Sequence, residues 1–498
     1  MTIEVSVIST SSLGDRSYLA TDGDVAVVVD PQRDIDRVLA LAGRLAVRIS
    51  HVVETHLHND YLTGGLELAR ITGAEYLVAA ADQVAFERRP VGDGDLVAIS
   101  DRMRLRAIGT PGHTFHHLSY VLEENEPAEG EPAEGEPAEG GPAEGGPAGG
   151  WAPVGVFTGG SLLFGTTGRT DLLGAQHAHQ LAQHQHASAR RLADLLPDGT
   201  RIWPTHGFGS FCSATQADAT DSTIGREREV NPVLRLSADR FVEETLAGLD
   251  AYPAYYAHMG PANAVGPAPV DLTPANRADA AELRRRITAG QWLVDLRNRR
   301  AYAESHLAGT VSLGLDGPMS TWLGWLAEWG APVTLLAETP EHIAEAQREL
   351  VRIGIDRPAA AAEGQPDDWA VESTDLRELP VADFAALAAA RSDTDRPTHE
   401  TGPPPPDVLL DVRLGNEWRA GHLAGAVHIP LPELPGRLAE LPDGVVWVHC
   451  GSGYRAAIAS SLLANAGRRV VLIDDQFDKA APAGIPLAAD APAEGGTA

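Results

Sequence analysis

Residues 49–53, Ile-Ser-His-Val-Val, are short, largely β-branched and mostly apolar, the composition of a buried strand. They run into the loop Thr55-His56-Leu57-His58-Asn59-Asp60-Tyr61, and residues 62–72 then read as a helix. A strand leading through a polar loop into a helix is the building unit of α/β sheets, and such folds place their chemistry on these loops. In an extended loop, His56 and His58 are two apart and can point the same way, a good arrangement for zinc or iron.

The segments around this loop continue the pattern. Residues 5–8, 18–20 and 25–29 read as strands, with Asp30-Pro31 ending the third, and 34–46 has the apolar spacing of a helix. Strands follow near 76–78, 105–108 and 117–122, and the turn Thr110-Pro111-Gly112-His113-Thr114 presents a third histidine. Residues 125–150 are degenerate copies of Glu-Pro-Ala-Glu-Gly and cannot offset their ordering entropy, so they read as a disordered insert within a sheet. The sheet resumes at 154–158 and leads to Gly159-Gly160 and Gly168-Arg169-Thr170-Asp171. A helix over 177–196 and a strand over 201–203 precede the loop Pro204-Thr205-His206-Gly207-Phe208-Gly209-Ser210-Phe211-Cys212.

A Pro/Ala/Gly stretch over 259–269 reads as a linker, and beyond it the chain repeats itself. Leu293-Val294-Asp295-Leu296-Arg297 and Ser305-His306-Leu307-Ala308-Gly309 return as Leu409-Leu410-Asp411-Val412-Arg413 and Gly421-His422-Leu423-Ala424-Gly425. Between the copies lies a charged, Pro-rich loop over 392–406. In the second copy a strand at 445–449 meets a helix at 456–466 through Cys450-Gly451-Ser452-Gly453-Tyr454-Arg455. A cysteine opening such a loop faces backbone N–H groups and the positive end of a helix, which lower a thiol's pKa and hold an anion. Cys450 is therefore the expected nucleophile, Arg455 its cationic partner, and Gly451, Ser452, Gly453 and Tyr454 the expected anion cradle.

With 498 residues the chain exceeds one core, so several domains are expected. Lys plus Arg number 39 against 69 Asp plus Glu, a net charge of −30, which argues against nucleic acid and anionic membranes as partners. Only Cys212 and Cys450 are present, which fits a reducing cytoplasm. Residues 1–8 lack the basic and apolar regions of a signal peptide, and no apolar run reaches about 18 residues.

The second copy resembles the rhodanese family in its Asp411-Val412-Arg413 entry, its Gly421–Ala426 segment and its Cys-x4-Arg loop. Residues 1–246 resemble the metallo-β-lactamase fold, and within it the persulfide dioxygenase branch joined to rhodanese domains. The residues that carry this are His56-x-His58-x-Asp60, Thr110–Thr114, Gly168–Asp171 and the His206 loop.

The resemblance implies an α/β multidomain chain. An αββα sandwich spans 1–246, a linker 247–271, a rhodanese-like domain without its cysteine 272–360, and a rhodanese domain 374–490. In the first copy Ala337 falls at the nucleophile position and Glu338 follows it, so that domain is expected to be inactive and to serve packing. Two departures matter in the first domain: Tyr61 replaces a family histidine, and Gly160 replaces the aspartate that holds iron beside residues matching His56 and His113. His58 is the expected substitute, giving a site of His56, His58 and His113, with Asp60 and His206 left from a second metal position. The implied cofactor is one Fe(II) per chain, with Zn(II) the alternative, and Arg169 is expected to hold the anionic part of the substrate.

The expected function is oxidation of a low-molecular-weight thiol persulfide to sulfite, coupled to sulfurtransfer involving thiosulfate or sulfite in the cytoplasm. A zinc thioester hydrolase and a metal-free scaffold serving Cys450 are the alternatives. A homo-oligomer is compatible with either.

Overall fold

The structure, a computed structural model, describes residues 2–125, 150–214, 219–392 and 403–488. The repeat insert therefore lies, but for its first and last residues, outside the described residues, as does most of the 392–406 loop. Contacts divide the chain into one unit of Met1–Leu249, Tyr255–Val270 and Arg352–Gly354, and a second of Asp250–Ala254, Asp271–Val351 and Ile355–Ala498. Among the described residues no helix is long and apolar enough to cross a membrane.

The first unit is built on two sheets, one six-stranded and one five-stranded. Side-chain alternation explains why they stack. Val27 and Val29 of strand Val25–Val29 join Tyr18, Leu105, Tyr120 and Phe157 in the core between the sheets. Ala26 and Val28 of the same strand face the other way, onto Val38 and Ala42 of helix Asp36–Leu45 and Leu68 of helix Gly65–Thr72. The second sheet is covered likewise, its Ile108, Val121 and Val156 packing on Ala189 and Leu192 of helix Ala175–Leu195. Each fully buried Val or Leu contributes about 1.5–3 kcal/mol, so the αββα layering follows from two apolar faces per sheet.

Strand directions decide where the loops meet. Trp151–Gly159 runs parallel to Arg201–Pro204, so both emerge at one edge, carrying Gly160 and His206. Met103–Gly109 and Trp151–Gly159 both run antiparallel to Leu118–Asn125, so the turn bearing His113 leaves at that edge as well. Arg48–Val53 delivers the His56 loop there from the other sheet, where Leu118 N–H donates to the Thr55 carbonyl at 2.8 Å.

The stretch read as a linker is in part a helix, Tyr256–Val265, belonging to the first unit. Its composition is that of a linker, and Pro261 lies inside it, but a tertiary anchor overrides propensity. Buried Asn263 donates from Nδ2 to the carbonyls of His58 and Tyr61, both at 2.8 Å, and accepts at Oδ1 from Thr63 N–H at 2.9 Å. Gly266, at φ +93°, ends the helix.

In the second unit the sequence repeat is a structural repeat. Strand Trp292–Asp295 lies between Val311–Ser312 and Val333–Ala337 in a parallel sheet, and Val408–Asp411 lies between Val427–His428 and Val445–His449 in another. Arg297 grips Asp295 and the Ser305 carbonyl as Arg413 grips Asp411 and the Gly421 carbonyl. His306 stacks on Tyr302 at 3.9 Å as His422 stacks on Trp418 at 3.5 Å. Asp295 pairs with Leu336, and Asp411 with His449, so Ala337 holds in the first repeat the position that Cys450 holds in the second.

Candidate metal centre and thiol site

Three imidazoles converge at the shared edge of the first unit. His56, His113 and His206, all buried, offer ligand nitrogens that lie within 4.8 Å of one another. In each ring the other nitrogen is committed. His56 Nδ1 donates to Thr55 Oγ1 at 2.8 Å, and that hydroxyl donates to Asp30 Oδ2 at 2.7 Å. His113 Nδ1 donates to the Arg169 carbonyl at 2.8 Å. His206 Nδ1 lies 2.9 Å from Asp15 Oδ1 and 3.1 Å from Asp60 Oδ2. Such partners fix tautomer and ring orientation, and they leave the Nε2 atoms to converge.

One buried lone pair at this pocket is left for a ligand, and a second is met by a proton. His113 Nε2 is buried with no hydrogen-bond partner, and His56 Nε2 lies 3.3 Å from His206 Nε2. Burial drives the pKa of His56 well below the usual imidazole value and His113 to about 3, so both rings are neutral lone-pair donors at pH 7. Burial also opposes the charge on His206, but Asp60 and Asp15 override it and raise that ring to about 10. Its Nε2 would have to lose that proton before it could hold a metal, so affinity would rise with pH. With that proton removed from His206, the three imidazole nitrogens would form a donor set for one iron or zinc ion.

The set differs from His56, His58 and His113. His58 Nε2 points instead to Glu54 Oε2 at 3.2 Å, Asp30 Oδ1 at 3.3 Å and the Tyr61 hydroxyl at 3.0 Å. Two buried carboxylates hold it as a cation: burial opposes the charge, yet Asp30 and Glu54 lift its pKa to about 9. Asp60 contributes through His206, and with His58 and His206 it forms a second grouping within 4.8 Å that shares His206 with the first. Gly160 is packed against His113, and a Cβ built there would run into the ring, so the space a side chain at this position needs is filled.

Arg169 does not face outward to an anion. It is 3% exposed, and its guanidinium forms a fork with Asp171 at 2.7 and 2.8 Å, while its own carbonyl steadies His113. Cys212 is fully buried, and burial and then Asp60 push its thiol well above the usual value, which makes it a poor nucleophile.

Sequence reasoning passed over Asp15, Asp30, Glu54, His117 and Asn263. Asp30 adopts φ +51°, rare for a residue with a side chain, and its carboxylate gathers Thr55, Thr205 and His58. His117 Nε2 accepts from Gly160 N–H at 3.0 Å, and its ring stacks on His56 at 4.9 Å. An Asp-Pro pair closing a strand was the available signal for Asp30. Asp15 and Asn263 had none, because what they touch lies far away in sequence.

In the second unit Cys450 Sγ accepts from Gly453 N–H at 3.1 Å and from Ala456 N–H at 3.4 Å. Gly453, at φ +96°, turns the chain into helix Tyr454–Asn465, and a Cβ there would strike Asp474. Arg455 sits in the cradle but is paired with Glu417 at 2.5 and 2.7 Å. Tyr454 donates its hydroxyl to the Gly314 carbonyl at 2.8 Å, which leaves Gly451 and Ser452 as the half-buried and exposed part of the loop.

Comparison with known proteins agrees with both halves. A family model described as a rhodanese-like domain matches residues 396–481. The mitochondrial persulfide dioxygenase ETHE1 of Homo sapiens is 27% identical over 241 residues, covering 48% of this chain and 76% of that protein. A hydroxyacylglutathione hydrolase of Rhodospirillum rubrum is 38% identical over 100 residues, 20% of this chain and 38% of that protein. Among solved structures, a metallo-β-lactamase from Staphylococcus aureus matches with a TM-score of 0.61 at 24% identity, covering 73% of this chain and all of that one. The chain thus joins a metallo-β-lactamase fold, with persulfide dioxygenases among its homologues, to a rhodanese-like domain at its C-terminal side.

Proposed function

We propose that the first unit is a persulfide dioxygenase and that Cys450 carries out sulfurtransfer in the same chain. The observation that carries the first half is the convergence of His56, His113 and His206, with each second nitrogen already committed. These residues would hold one Fe(II), which would supply a site for both the persulfide and O2. The overall change is RSSH + O2 + H2O → RSH + sulfite + 2 H+, in which the terminal sulfur loses four electrons and O2 gains them. Buried surroundings exclude water from the rings, Asp15 and Asp60 keep His206 oriented, and the Thr55–Asp30 pair does the same for His56. Because the second grouping shares His206 with the first and Gly160 stands where a carboxylate would bridge, a single metal fits better than a bridged pair.

At the second site the Cys450 thiolate attacks the outer sulfur of thiosulfate. The S–S bond breaks with its electron pair on departing sulfite, leaving a cysteine persulfide. An acceptor thiolate then attacks the terminal sulfur, and the pair returns to Cys450. The two N–H groups facing Sγ stabilise both anionic forms. The preceding repeat, with Ala337 at the position equivalent to Cys450, has no thiol there and so would have no transfer activity of its own.

A zinc thioester hydrolase is the second reading, favoured by the similarity to hydroxyacylglutathione hydrolase. Oxygen uptake by iron-loaded protein supplied with glutathione persulfide separates the two: stoichiometric uptake supports the dioxygenase, and thioester cleavage without uptake overturns it. Cys450→Ser is expected to lower thiosulfate sulfurtransfer by about a thousandfold or more. Retained activity would mean another nucleophile.

A further inference from the structure

We propose that the repeat lacking a cysteine completes the Cys450 site, with Arg299 as the positioning residue that holds the nucleophile loop from the neighbouring repeat. The inference rests on the sulfurtransfer reading of Cys450. Arg299 Nε donates to Asp474 Oδ1 at 2.6 Å, and Nη1 donates to Asp316 Oδ2 at 2.8 Å. Its Nη2 lies 3.5 Å from the carbonyl of Ser452, inside the loop that cradles the thiol. Asp474 is the residue on which Gly453 closes, and Arg300 takes its other oxygen at 2.6 Å. One guanidinium therefore ties the Ser452–Gly453 turn to a carboxylate of each repeat.

Other contacts of the same repeat reach the same helix. Tyr454 donates to the Gly314 carbonyl, and its ring fills the space a side chain on Gly317 would need. Further along, Asn465 Nδ2 donates to the Thr310 carbonyl at 2.9 Å, and Ser461 Oγ accepts from Ser312 N–H at 3.2 Å. Trp322 places its ring 5.9 Å from the Arg455 guanidinium.

Divergence between the repeats fits this division of labour. With Asp295 matched to Asp411 and His306 to His422, Arg299 corresponds to Gly415 and Ala301 to Glu417. The repeat with the thiol keeps the carboxylate that holds Arg455, and the repeat without it keeps a cation directed at its neighbour's loop. Arg299 is committed to two carboxylates, so its action runs through the loop rather than through contact with thiosulfate.

The test is single-turnover sulfite release from thiosulfate by the full chain, comparing wild type with Arg299→Ala and Arg299→Lys. The expected result for Arg299→Ala is a maximal rate about tenfold lower with half-saturating thiosulfate unchanged, and partial recovery in Arg299→Lys. A second variant, Tyr454→Phe, removes the Gly314 contact while keeping the ring, and a fall of several-fold in the same rate is expected. An unchanged maximal rate in Arg299→Ala overturns the proposal, as does a raised half-saturation with no change in rate, which would make Arg299 a substrate contact. Sulfite release by Cys450→Ser would instead overturn the sulfurtransfer reading itself, so the two failures are distinguishable.

Discussion

The Nε2 atoms of His56 and His206 lie 3.3 Å apart, although the two residues sit on loops that follow strands of different sheets. A proton joins them when His206 is charged, and a metal that takes both lone pairs has to displace it. Asp15 and Asp60 behind His206 therefore both favour the proton and keep the ring oriented for the metal.

Restoring a carboxylate at position 160 is expected to harm the site. A side chain there meets the His113 ring, which is itself pinned through Nδ1. Gly160→Asp should lower metal content and the thermal midpoint together. Metal analysis with a melting curve checks this, and a variant that gains metal without losing stability would contradict it.

Asn263 ties a helix of linker-like composition to the metal loop. Asn263→Ala removes three buried hydrogen bonds to main-chain groups of His58, Tyr61 and Thr63. The expected loss is about 2–4 kcal/mol, together with faster amide exchange over residues 58–63. Denaturant unfolding and hydrogen exchange read the two effects separately.

His449 predicts an acid sensitivity of the second unit. Burial among Phe384 and Phe477 lowers its pKa to about 4, below the ordinary value near 6.5. The unfolded chain then binds more protons between those values, so stability is full above about pH 6.5 and declines toward pH 4, by on the order of 3 kcal/mol. Amide protection of strand Val445–His449 should fall between pH 7.5 and 5 in wild type, and less in His449→Phe. Equal falls in the two proteins would exclude His449 as the cause.

What could be read from the sequence was what depends on local pattern. Strands Val25–Val29 and Val445–His449 were legible to the residue because apolar runs bounded by turns leave little choice. The nucleophile loop was legible because its spacing is its geometry. His206 was legible as a candidate ligand, but its grouping with His56 and His113 was not. His58 is near His56 in sequence and its ring lies 4.2 Å from that of His56, but Glu54 and Asp30 engage its Nε2, and it groups with Asp60 and His206 rather than with His56 and His113. His206 reaches His56 and His113 from the loop after a strand of the other sheet. The pairing of Arg169 is hidden in the same way: Asp171, two residues on, meets the charge that a motif alone leaves open.

The central claim is that His206, and not His58, completes the metal site. Iron-loaded wild type is expected to hold about one metal ion per chain after removal of excess. His206→Gln should lose most of it, while His58→Gln keeps metal and loses stability instead, because Asp30 and Glu54 are left without their cation. Metal retained in His206→Gln and lost in His58→Gln would contradict the account.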